Sequence, residues 1–402
     1  MITTLEARSS GAGEEQPEFH LSRLTLHDYR NFGELQCEFP EAGVAIVGRN
    51  GSGKTNLLEA IYYLQVFRSF RGARDAELVR FGQDVFRVEG GLRERQAERR
   101  LAAAYERSGR RKKVEVDGRE AVPLSAAIGS LGAVVFRPDD IEIVRGSPAG
   151  RRRFLDILLS LVVPGYLADL QRYRSVLAQR NEALRGAAPA EVLAAWTEGL
   201  IAPGSAIMAA RAAWVSSRAG AFSSYHEVIS GGQPAELGYR AALAPPRDGE
   251  TRSGSAPWSL GAREEWAERF RAALAGVEER ERRRGFTLAG PHRDDLDLRS
   301  PLADSRSRDV RTYGSSGQQR TAALALRLVE ADTLRERVGR EPVYLLDDVF
   351  AELDEGRSER LLTLLDQGRS GQVILTAPKQ TDVTLRGGAL ARWRIRNGRL
   401  LT

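Results

Sequence analysis

A glycine-rich turn set between two apolar segments constrains the fold of this chain more than any other feature. The residues before it, 44–47, form a continuous apolar run typical of a fully buried strand. The residues after it, 56–67, repeat apolar side chains at near-helical spacing. The turn itself reads Gly48-Arg49-Asn50-Gly51-Ser52-Gly53-Lys54-Thr55 and matches the spacing GxxxxGK[ST]. A strand, this turn and a helix in that order predict an α/β fold built around a phosphate-binding loop.

Each residue type in the turn suits the binding of a nucleoside triphosphate. Glycines let the backbone wrap so that successive N–H groups face phosphate oxygens, and the following helix adds the positive end of its dipole. Lys54 is expected to reach the β and γ phosphates, and the Thr55 hydroxyl is expected to hold Mg²⁺. The predicted ligands are therefore ATP and Mg²⁺. The alternative is a strand-to-helix turn that binds nothing.

An acidic pair ends a second apolar run far downstream. Residues 343–346 predict a buried strand that closes on Asp347 and Asp348. Asp347 is placed to hold the metal together with Thr55, which leaves Asp348 to orient or deprotonate the attacking water. A surface turn would also bring two acids together. Asp354, which ends the next loop, is expected either to link two subunits or to cap the helix predicted near 357–365.

A third motif precedes the apolar helix predicted at 321–331 and reads Tyr313-Gly314-Ser315-Ser316-Gly317-Gln318-Gln319-Arg320. Small residues at a helix start expose N–H groups that can bind a γ-phosphate. Because the glycine-rich loop already surrounds the nucleotide of its own subunit, Ser315, Ser316, Gly317 and Gln318 are expected to contact the nucleotide of a second copy. ATP would then join two copies into a homodimer. The alternative is an ordinary serine helix cap.

The rest of the chain divides into segments of different pattern. Strands are predicted at 21–40, joined around 30–33, in a meander over 84–117, and at 133–136, 236–242 and 286–288. Helices are predicted over 151–230, with a short seam of apolar side chains, and over 263–284. The predicted organisation is a flexible extension at 1–18, a nucleotide-binding part at 19–148, a compact helical insert at 149–284, and the second nucleotide-binding part at 285–402.

Composition adds a weaker indication about partners. The formal net charge is +6, and 28% of the 402 residues are charged. Basic clusters make nucleic acid a candidate partner, although a charge run is more often a solvated face. The single cysteine, Cys37, fits a reducing cytoplasm, and neither a secretory signal nor a long apolar membrane span is recognised. The candidate DNA contacts are Arg110, Arg111, Lys112, Lys113, Arg151, Arg152, Arg153 and 282–284; the arginines at 151–153 would otherwise pair with Asp139 and Asp140.

The three motifs resemble the Walker A, signature and Walker B motifs of the ABC ATPase superfamily, in its ABC/SMC head form. Thr376, after the apolar strand 373–375, occupies the position of the superfamily's γ-phosphate-sensing switch residue, where the usual histidine is absent. No glutamine stands for the metal-linked loop near 137–140. Within the superfamily the chain is similar to the RecF family, on the phrases at 29–32 (YRNF), 136–148 (FRPDDIEIVRGSP), 151–156 (RRRFLD) and 290–295 (GPHRDD).

This resemblance implies a weak DNA-dependent ATPase that dimerises on ATP. It also implies binding of single-stranded, gapped and double-stranded DNA, action at single-strand gaps, recombinase loading, and roles in repair, replication restart and SOS induction. Partners of the RecR and RecO type are implied, as are nucleotide contacts by Arg30 and Asn31. The rival hypotheses are a transporter ATP subunit and a structural chromosome protein of the SMC type. The first predicts a short gap between motifs, and the second predicts much longer helical arms.

Overall fold

The computed structural model describes residues 19–95, 97–243, 260–301, 307–366, 371–378, 390–396 and 398–401, so the extension predicted at 1–18 lies outside them. The strands are β1 (Phe19–Tyr29), β2 (Phe32–Glu38), β3 (Gly43–Val47), β4 (Val85–Glu94), β5 (Ala97–Glu106), β6 (Arg111–Val116), β7 (Arg119–Glu120), β8 (Ala133–Phe136), β9 (Glu236–Arg240), β10 (Asp295–Pro301), β11 (Ser307–Asp309), β12 (Val343–Asp347), β13 (Val373–Ala377), β14 (Ala391–Arg396) and β15 (Arg399–Leu401). The α-helices are α1 (Lys54–Val66), α2 (Asp75–Leu78), α3 (Ile141–Arg145), α4 (Pro148–Val162), α5 (Tyr166–Arg185), α6 (Ala190–Ser230), α7 (Leu260–Ala275), α8 (Glu278–Arg284), α9 (Val310–Tyr313), α10 (Ser316–Val338) and α11 (Glu355–Asp366).

Two six-stranded sheets and one three-stranded sheet contain the described strands. The first large sheet is antiparallel, in the order β2-β1-β4-β5-β6-β7. The second has the order β15-β14-β3-β13-β12-β8, in which only β15 runs against its neighbour. The small sheet has the order β11-β10-β9. The mixed second sheet, with the glycine-rich turn directly after β3, agrees with the α/β class predicted from the sequence.

The alternation of side chains along β3 explains why its sequence is apolar throughout. Val44 and Ile46 face a core that also holds the buried side of α1 and the inner face of the antiparallel sheet. Ala45 and Val47 face the opposite core, which contains α10 and the helices that follow residue 148. A parallel strand covered on both faces has no polar side to offer. α1 is therefore enclosed between the two large sheets, with the turn that precedes it at the sheet edge.

The helices of the predicted insert pack on the rest of the molecule over a shared core. α6 contacts α5, α7 and α10, and α4 contacts β10. The predicted seam on α5 is largely buried, with Tyr166, Leu170 and Tyr173 inside this core and Leu184 also buried. Because α10 belongs to the nucleotide-binding part, the helical segment and that part bury one continuous apolar surface.

α6 is long and apolar enough to cross a membrane by length and composition alone, and no other helix in the described ranges is. Half of its most apolar window is buried inside the fold. It also carries Arg211, whose side chain pairs with buried carboxylates. These surroundings are those of a core helix.

Two element predictions made from the sequence are wrong. The charged helix expected over 263–284 is divided, because α7 ends at Ala275 and α8 begins at Glu278. Gly276 lies in the break, where its flexible backbone suits a helix end. The strand expected at 286–288 is absent, and the chain there leads through a short 3₁₀ turn into β10. Short apolar runs cannot be assigned to a strand by periodicity alone.

The sequence phrases at 151–156 and 290–295 meet in a buried cluster of charges. Arg151 is almost fully buried and forms a double hydrogen bond with Asp295, at 2.6 and 3.0 Å. The Arg152 guanidinium donates to the Asp294 carbonyl at 2.7 Å. The alternative pairing of these arginines with Asp139 and Asp140 is therefore wrong.

Arg211 of α6 also belongs to this cluster, together with residues of α4 and of the segment at 290–295. Its guanidinium donates to Asp156 at 2.7 Å, to the carbonyl of Pro291 at 2.7 Å and to Asp294 at 3.4 Å. The carboxylate of Asp294 also accepts a hydrogen bond from Tyr239. The two phrases thus tie α4 and α6 to the start of β10.

We predict that Arg211→Met lowers the free energy of unfolding by about 3–5 kcal/mol, because the buried carboxylates of Asp156 and Asp294 lose their cation. Arg174→Met is the matched control. Arg174 pairs with the same Asp156 at 3.0 Å, but its side chain is 59% exposed, so its loss should cost about 1 kcal/mol or less. Urea unfolding followed by circular dichroism measures both. Equal effects of the two substitutions would contradict the structural role of the buried cluster.

Candidate functional site

The glycines of the turn after β3 are required by its geometry. Gly51 and Gly53 have φ of 79° and 113°, in the left-handed region that side chains disfavour. A Cβ atom on Gly53 would lie 2.6 Å from the Asn31 side chain, and one on Gly48 would lie 2.8 Å from the Ser52 hydroxyl. The backbone therefore wraps closely before α1 begins at Lys54. Its N–H groups are presented at a helix N-terminus, which is a favourable place for phosphate.

Lys54 is folded back into the turn. Its ammonium donates to the Gly48 carbonyl at 2.8 Å and lies 3.6 Å from the Asp348 carboxylate. Asp348 itself has φ of 47°, a strained conformation for most residues that Asp tolerates better than most. Such strain persists where surrounding structure holds it, often at functional sites.

Asp347 is the centre of a set of hydroxyl contacts. Its Oδ1 accepts hydrogen bonds from Thr55 at 3.0 Å and from Thr376 at 2.9 Å. The Thr376 hydroxyl also accepts from the backbone N–H of Asp348 at 3.1 Å. Burial raises the pKa of Asp347 above its ordinary value, the two hydroxyl bonds oppose that shift, and the nearby Asp348 adds to it.

Strand register explains why residues so distant in sequence meet here. β3, β13 and β12 are parallel neighbours, with Thr376 opposite both Asp347 and Ile46. Parallel strands end at the same edge of their sheet, so the residues that follow them converge. The structure thus brings together Lys54, Thr55, Asp347, Asp348 and Thr376, as the motif analysis expected.

Two adjoining clefts open above these residues. The smaller, of about 380 Å³, is lined by Asn50, Gly51, Gly53, Lys54, Thr55, Asn56, Arg71 and Asp348. The larger, of about 540 Å³, is lined by Arg30, Asn31, Asn56, Arg71, Glu77, Val79, Phe81 and Arg107. Asn56 and Arg71 border both clefts, so the two lie side by side, and together they are called the groove below. Phe81 is 99% exposed at its rim.

Some groove residues carry no sequence motif and were missed. Arg71 and Phe81 belong to neither the glycine-rich turn nor the acidic strand. The available signal for Arg71 is its position shortly after α1, in the loop that returns past the turn. Nothing in the sequence marks Phe81, because one apolar residue in a loop is common on protein surfaces.

Glu59 of α1 organises the basic side of the groove. Although Glu59 is fully buried, its carboxylate accepts two hydrogen bonds from Arg30, at 2.8 and 2.9 Å, and one from the Ser69 hydroxyl at 2.5 Å. The Arg71 guanidinium lies 3.9 Å away. The Asn31 side chain, predicted together with Arg30 to contact nucleotide, donates to the Ser52 carbonyl at 3.3 Å. Both predicted residues line the groove, and Arg30 is held there by a buried carboxylate.

The turn at 315–318 begins α10 and is exposed to solvent. The Ser315 hydroxyl accepts from the N–H of Gln318 at 3.2 Å, and the Gln318 side chain accepts from the N–H of Ser315 at 2.9 Å. This reciprocal cap is the alternative that the sequence left open. The side chains of Ser315 and Ser316 remain exposed, and neither cleft is lined by residues 315–318.

Asp354 has the local role that the sequence left open. Its carboxylate accepts a hydrogen bond from the N–H of Arg357 at 2.9 Å and forms an ion pair with that residue's guanidinium. It therefore caps the start of α11. Its carboxylate is nevertheless more than half exposed, which leaves it accessible to a second copy.

The basic clusters predicted to meet DNA are divided between exposed and inward-facing side chains. Arg111, Lys112 and Lys113 all lie in β6, so their side chains alternate between its two faces. Lys112 turns inward and donates to the Phe67 carbonyl at 2.7 Å, beside Asp75. Lys113 pairs with Glu115 at 2.8 Å.

The arginines at 151–153 diverge in the same way. Arg151 is buried against Asp295 and cannot contact DNA in this fold, so its prediction as a DNA contact is wrong. Arg152 is half-buried, and Arg153 is exposed beside the Ser69 carbonyl. Arg110, Arg111, Lys113 and Arg153 stay accessible.

Known proteins share this arrangement over nearly the whole chain. The DNA replication and repair protein RecF of Halalkalibacterium halodurans is 38% identical over 356 residues, covering 85% of this chain and 89% of that protein. The protein of the same name from Bacillus subtilis (strain 168) is 35% identical and covers 95% of this chain and 100% of its own length. A solved structure of the recombination mediator protein RecF-ATP in the RecFOR pathway superposes with a TM-score of 0.79 at 30% identity, covering 95% of this chain and 98% of that one.

The family model for the RecF/RecN/SMC N-terminal domain matches residues 20–390. That range includes all but the first residue of β1, the glycine-rich turn, the helical segment, the turn at 315–318 and the acidic strand. The alignments with these relatives cover 89% and 100% of their lengths. The chain therefore has an ABC/SMC-type ATPase head with an inserted helical segment, and it belongs to the RecF family.

Proposed function

We propose that this protein binds ATP with Mg²⁺ in the groove above the glycine-rich turn. The observation that carries the proposal is the convergence of Lys54, Thr55 and Asp348 on one cleft, with Asp347 hydrogen-bonded to Thr55 beside it. A related protein is known in an ATP-bound form. The triphosphate occupies the smaller cleft, and the base and ribose occupy the larger one, between Arg30 and Phe81.

The described residues fit Mg²⁺ only together with the nucleotide. Thr55 Oγ1 and Asp347 Oδ1 are hard oxygen donors 3.0 Å apart, and Mg²⁺ is usually held by one or two such groups plus phosphates and water. Within the described residues no group of three or more His, Cys, Asp or Glu forms a complete metal site. Thr55 and Asp347 would hold the ion, which would neutralise phosphate charge.

The remaining side chains supply positioning and proton chemistry. Lys54 exchanges its contact with the Gly48 carbonyl for phosphate oxygens. Asp348, 3.6 Å from the Lys54 ammonium, orients the attacking water and accepts its proton. Thr376 holds both acids in place through its hydroxyl. With only these groups on one side of the nucleotide, hydrolysis by a single copy is slow.

We infer that the second side is supplied by another copy of the chain. The exposed turn at 315–318 lies at a helix N-terminus and does not line its own groove. Ser315, Ser316, Gly317 and Gln318 would donate to the γ-phosphate held by the partner, and Asp354 would cross the same interface. ATP therefore acts as the switch that joins two heads.

The cellular role follows from the family. Relatives are named DNA replication and repair proteins, and one is a recombination mediator. We infer that the ATP-joined dimer acts in the cytoplasm on single-strand gaps, promotes recombinase loading with RecR and RecO type partners, and supports replication restart and SOS induction. Neither rival hypothesis is favoured by a specific observation. The helical segment packs against its own head instead of forming an extended arm.

Ser316→Arg should abolish ATP-dependent dimerisation and leave ATP binding by the monomer intact, because an arginine at the exposed turn blocks only the partner's phosphate. Lys54→Met should instead weaken ATP binding itself. Light scattering with saturating ATP and Mg²⁺ measures mass, and a fluorescent ATP analogue measures binding. Wild-type protein that stays monomeric under these conditions would refute the shared site.

Asp348→Asn should lengthen the lifetime of the ATP-bound dimer, because the amide cannot accept a proton from the attacking water. We expect turnover to fall by about 100-fold or more, within the range for loss of a general base. Phosphate release and light scattering after dilution measure the two effects. A variant that hydrolyses ATP at the wild-type rate would remove Asp348 from the mechanism.

Glu59→Gln should weaken ATP binding by roughly tenfold, since charged hydrogen bonds that hold Arg30 at the groove contribute about 1.5–3 kcal/mol. Glu77→Gln is the matched control. Glu77 lines the same cleft, yet Arg30 contacts only its backbone carbonyl, at 3.3 Å. Titration of a fluorescent ATP analogue compares them. Identical affinities would show that Glu59 does not position the groove arginines.

A further inference from the structure

Four arginines cluster on the antiparallel hairpin formed by β14 and β15. Arg392, Arg394 and Arg396 occupy alternate positions of β14, so they share one face, while Trp393 and Ile395 point into the core. Arg399 of β15 lies directly opposite Arg396 in the register. All four side chains are exposed, and none forms a hydrogen bond or ion pair with any described residue.

The antiparallel sheet shows how this chain treats bases on an ordinary solvated surface. There several outward arginines and lysines alternate with glutamates and pair with them: Arg23 with Glu38, Arg87 and Lys113 with Glu115, and Arg100 with Glu89. The hairpin has no interleaved acid. On the antiparallel sheet, glutamates therefore neutralise several of the outward bases. On the β14–β15 hairpin, no acidic residue in the described ranges neutralises the four arginines.

The register makes this cationic face costly without a ligand. Like charges directly opposite each other on neighbouring strands are destabilising, as Arg396 and Arg399 are here. A protective charge at a sheet edge would account for one or two basic residues, commonly Lys. It does not account for three arginines on one face and a fourth facing them. An anion bound against the guanidinium groups of this face would relieve the repulsion between them.

We propose that the β14–β15 hairpin is a binding surface for the phosphate backbone of double-stranded DNA. The proposal rests on the DNA-binding function inferred above and assigns it a surface different from the sequence-predicted clusters. Arginine is suited to phosphate because its planar guanidinium can donate two parallel hydrogen bonds. A row of guanidinium groups along a strand follows a repeating backbone and carries no base specificity.

The hairpin is held rigidly beside the nucleotide groove. β14 pairs with β3, the strand that leads into the glycine-rich turn. The N–H of Gly398, in the hairpin connection, donates to the Ser52 carbonyl of that turn at 3.1 Å. A Cβ on Gly398 would lie 2.7 Å from the Asn31 carbonyl, so the connection cannot move away without breaking close packing. DNA on this surface would lie next to the ATP site.

The test is the salt dependence of duplex binding by the full chain with ATP and Mg²⁺, measured by fluorescence anisotropy. The quadruple variant R392A/R394A/R396A/R399A should bind a labelled duplex about tenfold or more weakly near 150 mM salt. The slope of log K against log salt should fall by about 0.9 for each arginine that contacts a phosphate. The corresponding quadruple lysine variant should keep most of the slope.

The matched control removes the same charge from the helical segment. Arg174, Arg185, Arg269 and Arg271 are exposed and each paired with a carboxylate of that segment, so R174A/R185A/R269A/R271A should leave slope and affinity near wild type. Thermal unfolding checks that each variant is folded. A hairpin variant with the wild-type slope, or a control that loses as much, overturns the assignment. Wild-type protein that binds no duplex in any nucleotide state overturns the proposed DNA function itself.

Discussion

One carboxylate oxygen, Oδ1 of Asp347, holds together the parts of the site. It accepts hydrogen bonds from Thr55 on the glycine-rich loop and from Thr376 on the neighbouring strand. Both bonds depend on the parallel register of β3, β13 and β12. A slip of β12 by one residue would turn Asp347 to the other face of the sheet and expose its apolar neighbours. The hydroxyl contacts of Asp347 and the two hydrophobic cores are therefore set by the same strand alignment.

Buried ion pairs fix how the helices sit on this sheet. Arg327 of α10 donates to both oxygens of Asp140, at 2.7 and 3.0 Å, directly after β8. Asp140 is almost fully buried. Removal of either partner would leave an uncompensated buried charge, which is strongly destabilising. Because α10 begins at the exposed turn of 315–318, this pair sets where that turn lies relative to the acidic strand. The cluster around Arg211 likewise fixes the positions of α4 and α6 relative to β10.

Much of this arrangement could be predicted because local patterns and global fold agree. The sequence correctly predicted the glycine-rich loop, the strand at 133–136 and the acidic strand. Buried parallel strands are apolar on both faces and end at a common edge, so their sequences are easily recognised. Arg71 and Phe81 could not be predicted as groove residues, and the role of Glu59 in holding Arg30 could not be predicted either. Their positions result from the return of a loop and from burial inside α1, and neither leaves a periodic signal. The partner of Arg151 could not be predicted either, because Asp295 is distant in sequence and meets Arg151 only through the packing of α4 on β10.

The basic residues show why sequence adjacency is a poor guide to a binding surface. Consecutive bases in a strand point to opposite faces, which separates Lys112 from Arg111 and Lys113. Consecutive arginines in a helix diverge around its axis, so Arg151 is buried while Arg153 is exposed. Bases at every second position of a strand gather on one face instead, as they do on β14. In an α/β protein, basic residues at alternate positions of a strand are therefore a better sign of a polyanion-binding surface than consecutive basic residues. The pleat of the strand places alternate side chains on one face.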